Sequence, residues 1–288
     1  MSTHFLKAQA ATAFNMPSPA EAREYEDAFV FGSPAMAQVN IESVNQPVKG
    51  HWYQPQTGAR SVMLLYLHGG GYAYYSKAHE NLIALVTLAA QSKTFALDYG
   101  LTPEHSYPAQ LEEALAAYRG LLDSGVAPER LVVAGDSAGG NLALTLLLAL
   151  REARLPQPAL AIGLAPWTDF ANSGESMTAN GAHDWIEKHM ADRWAQWYCK
   201  GADVRHPLIS PIHADLTGLP PIYLQAGSAE ILHDMIRAFA DRAEKQGACV
   251  TLEVWPNMTH DFQAFGDLIP ESQDALRRIG EVVNKYVA

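Results

Sequence analysis

Short apolar runs alternate with longer segments of helical periodicity along most of the chain. The runs are bounded by turn-forming residues, as expected for strands that helices cover on both faces. The predicted strands are Val62–Leu67, Thr94–Asp98, Leu131–Gly135, Ala159–Leu164, Pro221–Ala226 and Val250–Trp255. Before them, Gln38–Val44 and Val48–Gln54 alternate polar and apolar residues around a turn, which predicts an antiparallel hairpin at the sheet edge.

The intervals between the predicted strands carry apolar residues every three to four positions, which is typical of helices that pack one face on a core. The predicted helices are His79–Gln91, Ala109–Leu122, Asn141–Glu152, Asp234–Gln246 and Ser272–Tyr286. This alternation predicts an α/β fold with a central, mostly parallel sheet of eight strands flanked by helices.

Two regions fall outside the alternation, residues 1–36 and roughly residues 175–207. The second contains Trp185, Trp194 and Trp197 and lies between the sixth and seventh strands. Helical segments outside the sheet order are candidates for a small cap over the active-site end, although their aromatic rings could also simply pack on the domain. Because no Pro- or Gly-rich linker separates them, residues 1–288 are expected to form a single domain with cap elements.

The chain is acidic, with 20 basic and 31 acidic residues and a net charge of −11. Such a charge repels nucleic-acid backbones and anionic membrane surfaces, so neither is an expected partner. The longest apolar stretch, Leu142–Leu150, is far shorter than the ~20 residues that a membrane span requires. Since no secretory signal is visible either, a cytoplasmic protein without membrane insertion is predicted. Cys199 and Cys249 form no metal-ligand pattern and are expected to be buried free thiols, with a disulfide left open.

The pentapeptide Gly135-Asp136-Ser137-Ala138-Gly139 has the G-x-S-x-G spacing of a nucleophile elbow. An apolar strand runs into it and a helical pattern runs out of it, so the chain must turn sharply at Ser137. The hydroxyl of Ser137 is then held at the N-terminal end of a helix, where negative charge is stabilised. The context therefore predicts that Ser137 is a catalytic nucleophile.

A second motif, His68-Gly69-Gly70-Gly71-Tyr72, follows the strand Val62–Leu67 directly. Three consecutive glycines leave backbone N–H groups free to approach a ligand. Preorganised N–H donors stabilise the oxyanion that forms when a carbonyl is attacked, and the N–H of Ala138 should supply another. The glycine loop and the elbow together thus favour acyl-transfer chemistry.

His260 lies just past the last predicted strand, in the sequence Asn257-Met258-Thr259-His260-Asp261-Phe262. In folds with a nucleophile elbow, the general base occupies this loop and follows the serine and the acid in chain order. Of the eleven histidines, His260 is therefore the predicted base.

Together these motifs resemble the bacterial hormone-sensitive-lipase family of esterases, often called family IV, which has the α/β-hydrolase fold. The resemblance runs from about residue 60 to the C-terminus. Besides HGGGY and GDSAGGN, three segments carry it: Leu97–His105, which resembles LDYRLAPEH; Pro166–Asp169, which reads PWTD; and Gly227–Leu232, which resembles GSDEVL.

The resemblance implies a serine carboxylesterase that hydrolyses short-to-medium acyl esters through an acyl-enzyme, without cofactor or metal. It implies that Gly70, Gly71 and Ala138 form the oxyanion hole and that Gly69 helps the turn. Two positions depart from the family: Gly100 replaces an arginine, which removes an expected ion pair, and Ala229 replaces an aspartate that often precedes the acid.

Three carboxylates compete for the role of the triad acid. Glu230 lies three residues beyond Gly227, in the loop after the seventh strand where the fold places the acid. Asp234 lies where it more naturally begins a helix, and Asp169 belongs to the PWTD segment. Glu230 is the preferred acid, and its distance along the chain from His260 resembles that in the family.

Two other functions stay open. An amidase or arylformamidase would use the same scaffold on a different small-molecule substrate. A non-catalytic ligand receptor, as in the related gibberellin receptors, is disfavoured because those have lost the catalytic histidine. A homodimer through Val250–Trp255 or its neighbours is plausible from the family alone.

Overall fold

A computed structural model describes residues 3–28 and 34–287 of the protein. Its strands are β1 (Val39–Val44), β2 (Gly50–Pro55), β3 (Met63–Leu67), β4 (Lys93–Leu97), β5 (Leu131–Asp136), β6 (Leu160–Leu164), β7 (Ile222–Gly227) and β8 (Val250–Trp255). They form one sheet of eight strands in the order β1-β2-β4-β3-β5-β6-β7-β8. The pairs β1–β2 and β2–β4 are antiparallel and all the others are parallel. The predicted mostly parallel sheet with a hairpin at its edge is confirmed.

The helices flank this sheet or precede it in the chain. They are α1 (Thr3–Phe14), α2 (Pro19–Asp27), α3 (Lys77–Ala90), α4 (Ala109–Asp123), α5 (Ser137–Glu152), α6 (Ser176–Ala179), α7 (Lys188–Cys199), α8 (His233–Lys245) and α9 (Pro270–Tyr286). Helix α5 begins four residues earlier than the periodicity predicted. The small residues of its first turn carry no apolar pattern, so hydrophobic periodicity does not detect that turn.

Alternating residues of β3 to β7 enter different cores, because successive side chains of a strand point to opposite faces. On β3, Leu65 and Leu67 join the core that includes α4, α5 and α8. Leu64 and Tyr66 join a second core, to which α3 and α9 contribute. Burial on both faces explains why the strands read as nearly continuous apolar runs.

Parallel strands bring the loops after β3, β5, β7 and β8 to one edge of the sheet, the carboxyl edge. Loops at this edge are where open α/β sheets bind ligands. The four loops contain Gly70, Ser137, Glu230 and His260, respectively. The topology thus gathers the residues that the sequence singled out.

Segments from both predicted cap regions line a cavity above Ser137. Leu6 and Gln9 come from α1, while Trp185 and Trp194 come from the segment between β6 and β7. Residues 1–2 and 29–33 of the first region lie outside the described residues. The division into one domain with a cap stays a prediction.

Two further expectations concern membranes and thiols. Within residues 3–28 and 34–287, no helix is long and apolar enough to cross a bilayer. Both cysteines are free, and Cys199 is buried as expected, but Cys249 is exposed. The prediction for Cys249 was wrong because this residue immediately precedes β8, the last strand of the sheet order, where no further strand covers it.

Candidate active site

Ser137 lies at a sharp turn between β5 and α5. Its φ of 51° is in the left-handed region, which is strained for a residue with a side chain. A Cβ at position 139 would collide with the carbonyl oxygens of Leu67 and His68, so only glycine lets the turn approach β3 this closely. The geometry is that of a nucleophile elbow.

A hydrogen-bond network holds this turn in place. The Trp167 N–H donates to the carbonyl oxygen of Ser137 at 3.0 Å. The Asn141 amide donates to the carbonyl oxygens of Trp167 and Ile209 at 2.7 and 2.8 Å. Its own oxygen accepts from the hydroxyl of Tyr72 at 2.7 Å. Asn141 therefore ties the elbow to the glycine-rich loop, a role that the sequence had not assigned to it.

The side chains of Ser137 and His260 are in direct contact. Ser137 Oγ lies 2.9 Å from His260 Nε2, within hydrogen-bond reach of a nucleophile and its base. His260 is only 2% exposed. Burial lowers its pKa to about 3, because a charged imidazolium loses its hydration there. The imidazole is therefore neutral over most of the pH range, which is the form that accepts a proton.

Glu230 faces the other ring nitrogen of His260. Its Oε2 lies 4.0 Å from His260 Nδ1 and accepts a hydrogen bond from the Gly227 N–H at 3.2 Å. Glu230 is fully buried. Burial, and secondarily the nearby Asp184, raise the pKa of Glu230 well above its usual value. At 4.0 Å the contact is longer than a hydrogen bond, and such catalytic contacts are often long in the absence of substrate.

The other two candidate acids lie in separate networks. Asp234 accepts a hydrogen bond from the Ser176 N–H at 2.8 Å, in the first turn of α8. Asp169 accepts from the Ala171 N–H at 2.9 Å and from the hydroxyl of Ser173. Of the three carboxylates that the sequence left in competition, the structure brings only Glu230 to His260.

Asp184 is a buried residue of the site that the sequence analysis missed. Its carboxyl group accepts hydrogen bonds from the N–H groups of Ile231 at 2.7 Å, Trp185 at 2.8 Å and His260 at 3.1 Å. Burial raises its pKa to about 7. Asp184 thus joins the loop that carries Glu230 to the loop that carries His260. No motif marks it, since it lies in the irregular segment between β6 and β7.

The glycine-rich loop lies beside Ser137, and Gly70 and Gly71 line the same cavity as the serine. Gly70 and Gly71 have φ values of 92° and 61°, which a residue with a side chain rarely adopts. Within the described part of the chain, no protein group accepts a hydrogen bond from the N–H groups of Gly70, Gly71 or Ala138. These three N–H groups remain available to a ligand.

A cavity of about 250 Å³ opens onto Ser137. Most of its wall is apolar, and its residues that can carry a charge near neutral pH are acids and histidines. The lining includes Glu26, His79, Asp136, His260, Asp261 and Asp267, with no lysine or arginine among its described residues. Across the same described ranges, no group of three or more His, Cys, Asp or Glu side chains could hold a metal ion.

The sheet order, the strand-turn-helix at Ser137 and the His260 loop define a protein of the α/β-hydrolase class. Comparison with known proteins agrees. Residues 64–264 match the family described as "alpha/beta hydrolase fold". The chain belongs to this family and, within it, to the hormone-sensitive-lipase group.

Several relatives show what kinds of protein this chain is similar to. An acetyl-hydrolase of Streptomyces hygroscopicus is 46% identical over 220 residues, which cover 75% of this chain and 73% of the relative. An esterase of Acinetobacter venetianus is 32% identical over 81% of this chain and 78% of its own length.

Solved structures of esterases are also similar to this chain, over nearly its whole length. An esterase from the bacterial hormone-sensitive lipase family has a TM-score of 0.92 at 36% identity, covering 99% of this chain and 98% of its own. The esterase EstE5, soaked with p-nitrophenyl butyrate, has a TM-score of 0.92 at 33% identity, covering 99% and 96%.

Proposed function

We propose that this carboxylic-ester hydrolase cleaves short-to-medium acyl esters through an acyl-enzyme on Ser137. The observation that carries this proposal is the 2.9 Å contact between Ser137 Oγ and His260 Nε2 beneath the glycine-rich loop. Its relatives are named as esterases, carboxylesterases and acetyl-hydrolases, which supports the same reaction class.

In the first half-reaction, neutral His260 accepts the proton of Ser137 through Nε2 while Oγ attacks the ester carbonyl carbon. Glu230 faces Nδ1, so its carboxyl group orients the ring and stabilises the imidazolium that forms. His260 then returns the proton to the leaving alcohol oxygen, and the acyl group stays on Ser137.

The carbonyl oxygen becomes an anion during both half-reactions. The N–H groups of Gly70, Gly71 and Ala138 are its proposed donors, because they have no acceptor within the described chain. In the second half-reaction a water molecule gives its proton to His260 and attacks the acyl carbon. Ser137 leaves with the proton, and the carboxylic acid is released.

The dimensions of the cavity support short-to-medium acyl chains. Its volume of about 250 Å³ is below the range of roughly 300–1,000 Å³ that is typical of drug-sized ligands. Each additional methylene of the acyl chain gains ~0.8 kcal/mol only while it still finds apolar wall to cover. We expect the best p-nitrophenyl esters to carry about four to eight acyl carbons, and not the long chains of triglycerides. The acidic lining disfavours acyl chains that carry a carboxylate.

The test is Ser137→Ala, with Ser43→Ala as a matched control. Ser43 is exposed on β1, where its hydroxyl lies 3.0 Å from His51 Nδ1. Ser137→Ala should lower kcat on p-nitrophenyl butyrate by a factor on the order of 10³ or more, whereas Ser43→Ala should stay near wild type. A fluorophosphonate should label the wild type and Ser43→Ala but not Ser137→Ala. Turnover by Ser137→Ala within tenfold of wild type would contradict the proposal, and absence of labelling in the wild type would favour the receptor alternative.

Two expectations remain predictions. A homodimer through β8 would cover the exposed edge of the sheet, where Val254 is 41% exposed. A cytoplasmic location likewise awaits fractionation of the cells that make the protein.

A further inference from the structure

Asp261 is a carboxyl group in direct contact with the proposed catalytic base. Its Oδ2 lies 3.2 Å from His260 Nε2, the same nitrogen that contacts Ser137 Oγ. Its backbone is in the left-handed region, with φ of 50°, which aspartate tolerates better than most residues. Asp261 lines the same cavity as Ser137. The proposed acyl transfer gives this residue no role.

The carboxyl group of Asp261 has unused hydrogen-bonding capacity. Its side chain is only 12% exposed, and its Oδ1 is buried with no hydrogen-bond partner among the residues that the structure describes. No described lysine or arginine lines the cavity to neutralise it. Buried polar atoms without a partner are costly and therefore rare in proteins. Because Oδ1 is itself shielded from the cavity, the donor of a bound ligand would have to reach Oδ2, the oxygen beside His260 Nε2.

The position of Asp261 indicates which part of a substrate it would meet. His260 Nε2 returns its proton to the atom that leaves, so a group within 3.2 Å of Nε2 lies beside the leaving group. The leaving oxygen of an ester carries no hydrogen and cannot use an acceptor there. The nitrogen of a secondary amide carries a hydrogen and can donate it to such an acceptor.

Amide cleavage needs such an acceptor more than ester cleavage does. When Ser137 attacks an amide, the nitrogen becomes pyramidal and its lone pair must turn toward the proton on His260 Nε2. The remaining N–H then no longer faces Nε2, so it needs a separate acceptor beside the leaving nitrogen. An acceptor at that place stabilises the transition state more than the planar ground state, and only such differential interactions raise the rate of the chemical step.

We propose that Asp261 accepts a hydrogen bond from the leaving N–H of secondary amides, so that the protein also hydrolyses N-acyl amines with short acyl groups. The inference rests on the proposed acyl transfer by Ser137 and His260. Burial and the neighbouring Asp136 raise the pKa of Asp261, yet a carboxyl oxygen accepts a hydrogen bond in either protonation state.

The amide reaction balances without any co-reactant besides water. Ser137 Oγ forms a bond to the carbonyl carbon and gives its proton to His260 Nε2. That proton passes to the amide nitrogen as the carbon–nitrogen bond breaks, and the amine leaves with its original hydrogen, which Asp261 has held. Water then hydrolyses the acyl-enzyme as in the ester reaction. Asp261 gains and loses no proton.

The test compares kcat/KM on p-nitroacetanilide and p-nitrophenyl acetate, which share an acyl group. The wild type should hydrolyse both, and Ser137→Ala neither. Asp261→Gly, which suits the positive φ, should lower the amide-to-ester ratio of kcat/KM by up to about tenfold, the value of one hydrogen bond to an uncharged acceptor. Asp261→Asn should keep the ratio within about twofold of wild type, because its amide oxygen also accepts. Asp203→Gly, which removes an exposed carboxyl group outside this cavity, should leave the ratio unchanged.

A substrate change tests the same contact without any substitution. N-methyl-p-nitroacetanilide has no N–H to donate. The ratio of the wild-type kcat/KM for the secondary amide to that for the N-methyl amide should therefore exceed the same ratio of hydroxide-catalysed rates by at least about threefold. An equal fall of amide and ester turnover in Asp261→Gly would overturn the proposal. So would ester hydrolysis with no amide turnover above the Ser137→Ala background. If the wild type hydrolyses neither substrate, the proposed ester hydrolase function itself is wrong.

Discussion

Gly71 lies where the glycine-rich loop meets α7, and a single methyl group would disturb both. Its φ is 61°. A Cβ at this position would lie 2.6 Å from an atom of the Trp194 ring, closer than carbon atoms approach in proteins. The ring of Trp194 cannot move away freely, because it packs edge-on against Tyr74 and Phe14, with centroid distances of 5.9 and 6.3 Å. Gly71→Ala must therefore displace the loop or the tryptophan.

Two costs add in Gly71→Ala. A left-handed backbone costs a residue with a side chain roughly 1–2 kcal/mol. Forcing a methyl group into packed space costs about 1–3 kcal/mol more. Gly218 provides a control, because its φ is 72° but nothing lies within 4 Å of its Cβ position. Gly218→Ala should lose only the backbone share of the free energy of unfolding.

Activity should separate the two variants further. The N–H of Gly71 is a proposed oxyanion donor, and displacing one such donor lowers kcat by about 10²- to 10³-fold. Gly218→Ala should leave kcat near wild type. Trp194→Ala opens the space that the methyl group needs, so the double variant should be less impaired than the two single changes predict, with a coupling of about 0.5–3 kcal/mol.

The measurements are urea unfolding and kcat on p-nitrophenyl butyrate for the four proteins: Gly71→Ala, Gly218→Ala, Trp194→Ala and the double variant. The reasoning is refuted if Gly71→Ala and Gly218→Ala lose the same free energy of unfolding while Gly71→Ala keeps kcat within twofold of wild type. It is also refuted if Trp194→Ala and Gly71→Ala add without coupling, since the two side chains would then not compete for one space.

Two other substitutions test the acid and the residue that positions it. Glu230→Gln should lower kcat on the order of 10³- to 10⁴-fold, because an amide cannot stabilise the imidazolium of His260. Asp234→Asn should keep kcat within a few-fold of wild type. If instead Asp234→Asn shows the large loss and Glu230→Gln the small one, the acid is Asp234. Asp184→Ala leaves three N–H groups without an acceptor, two of them in buried contacts, at roughly 1–3 kcal/mol for each buried group. It should lower both kcat and the free energy of unfolding in urea, the latter by at least about 2 kcal/mol. A loss under 1 kcal/mol would show that water replaces this carboxyl group.

The sequence by itself determined the sheet and the positions of the proposed nucleophile and base. The strands β3 to β8 have the predicted bounds to within about one residue. For β3 to β7 the signal is strong because a strand buried on both faces has to be largely apolar. Ser137 and His260 follow from local rules, since a nucleophile at a strand-turn-helix needs small neighbours and the base follows the last strand. Each signal is contained within a few consecutive residues.

Only the tertiary structure decided which acid faces His260. Glu230, Asp234 and Asp169 all lie near strand ends, and their chain positions do not say where their side chains point. In the folded protein Asp234 and Asp169 accept hydrogen bonds from the N–H groups of Ser176 and Ala171, respectively. Of the three carboxylates, Glu230 alone comes within 4.0 Å of His260 Nδ1.

The same holds for the residues that no motif marks. Asp184 accepts from residues 47 and 76 positions away along the chain, and Gly71 meets Trp194 through the docking of α7. Asp261 is adjacent to His260 in sequence, yet its left-handed backbone is what brings its carboxyl group to Nε2. Local patterning specifies elements because it acts over one turn or one strand. Contacts between distant loops depend on how the whole chain packs, and that information is not local.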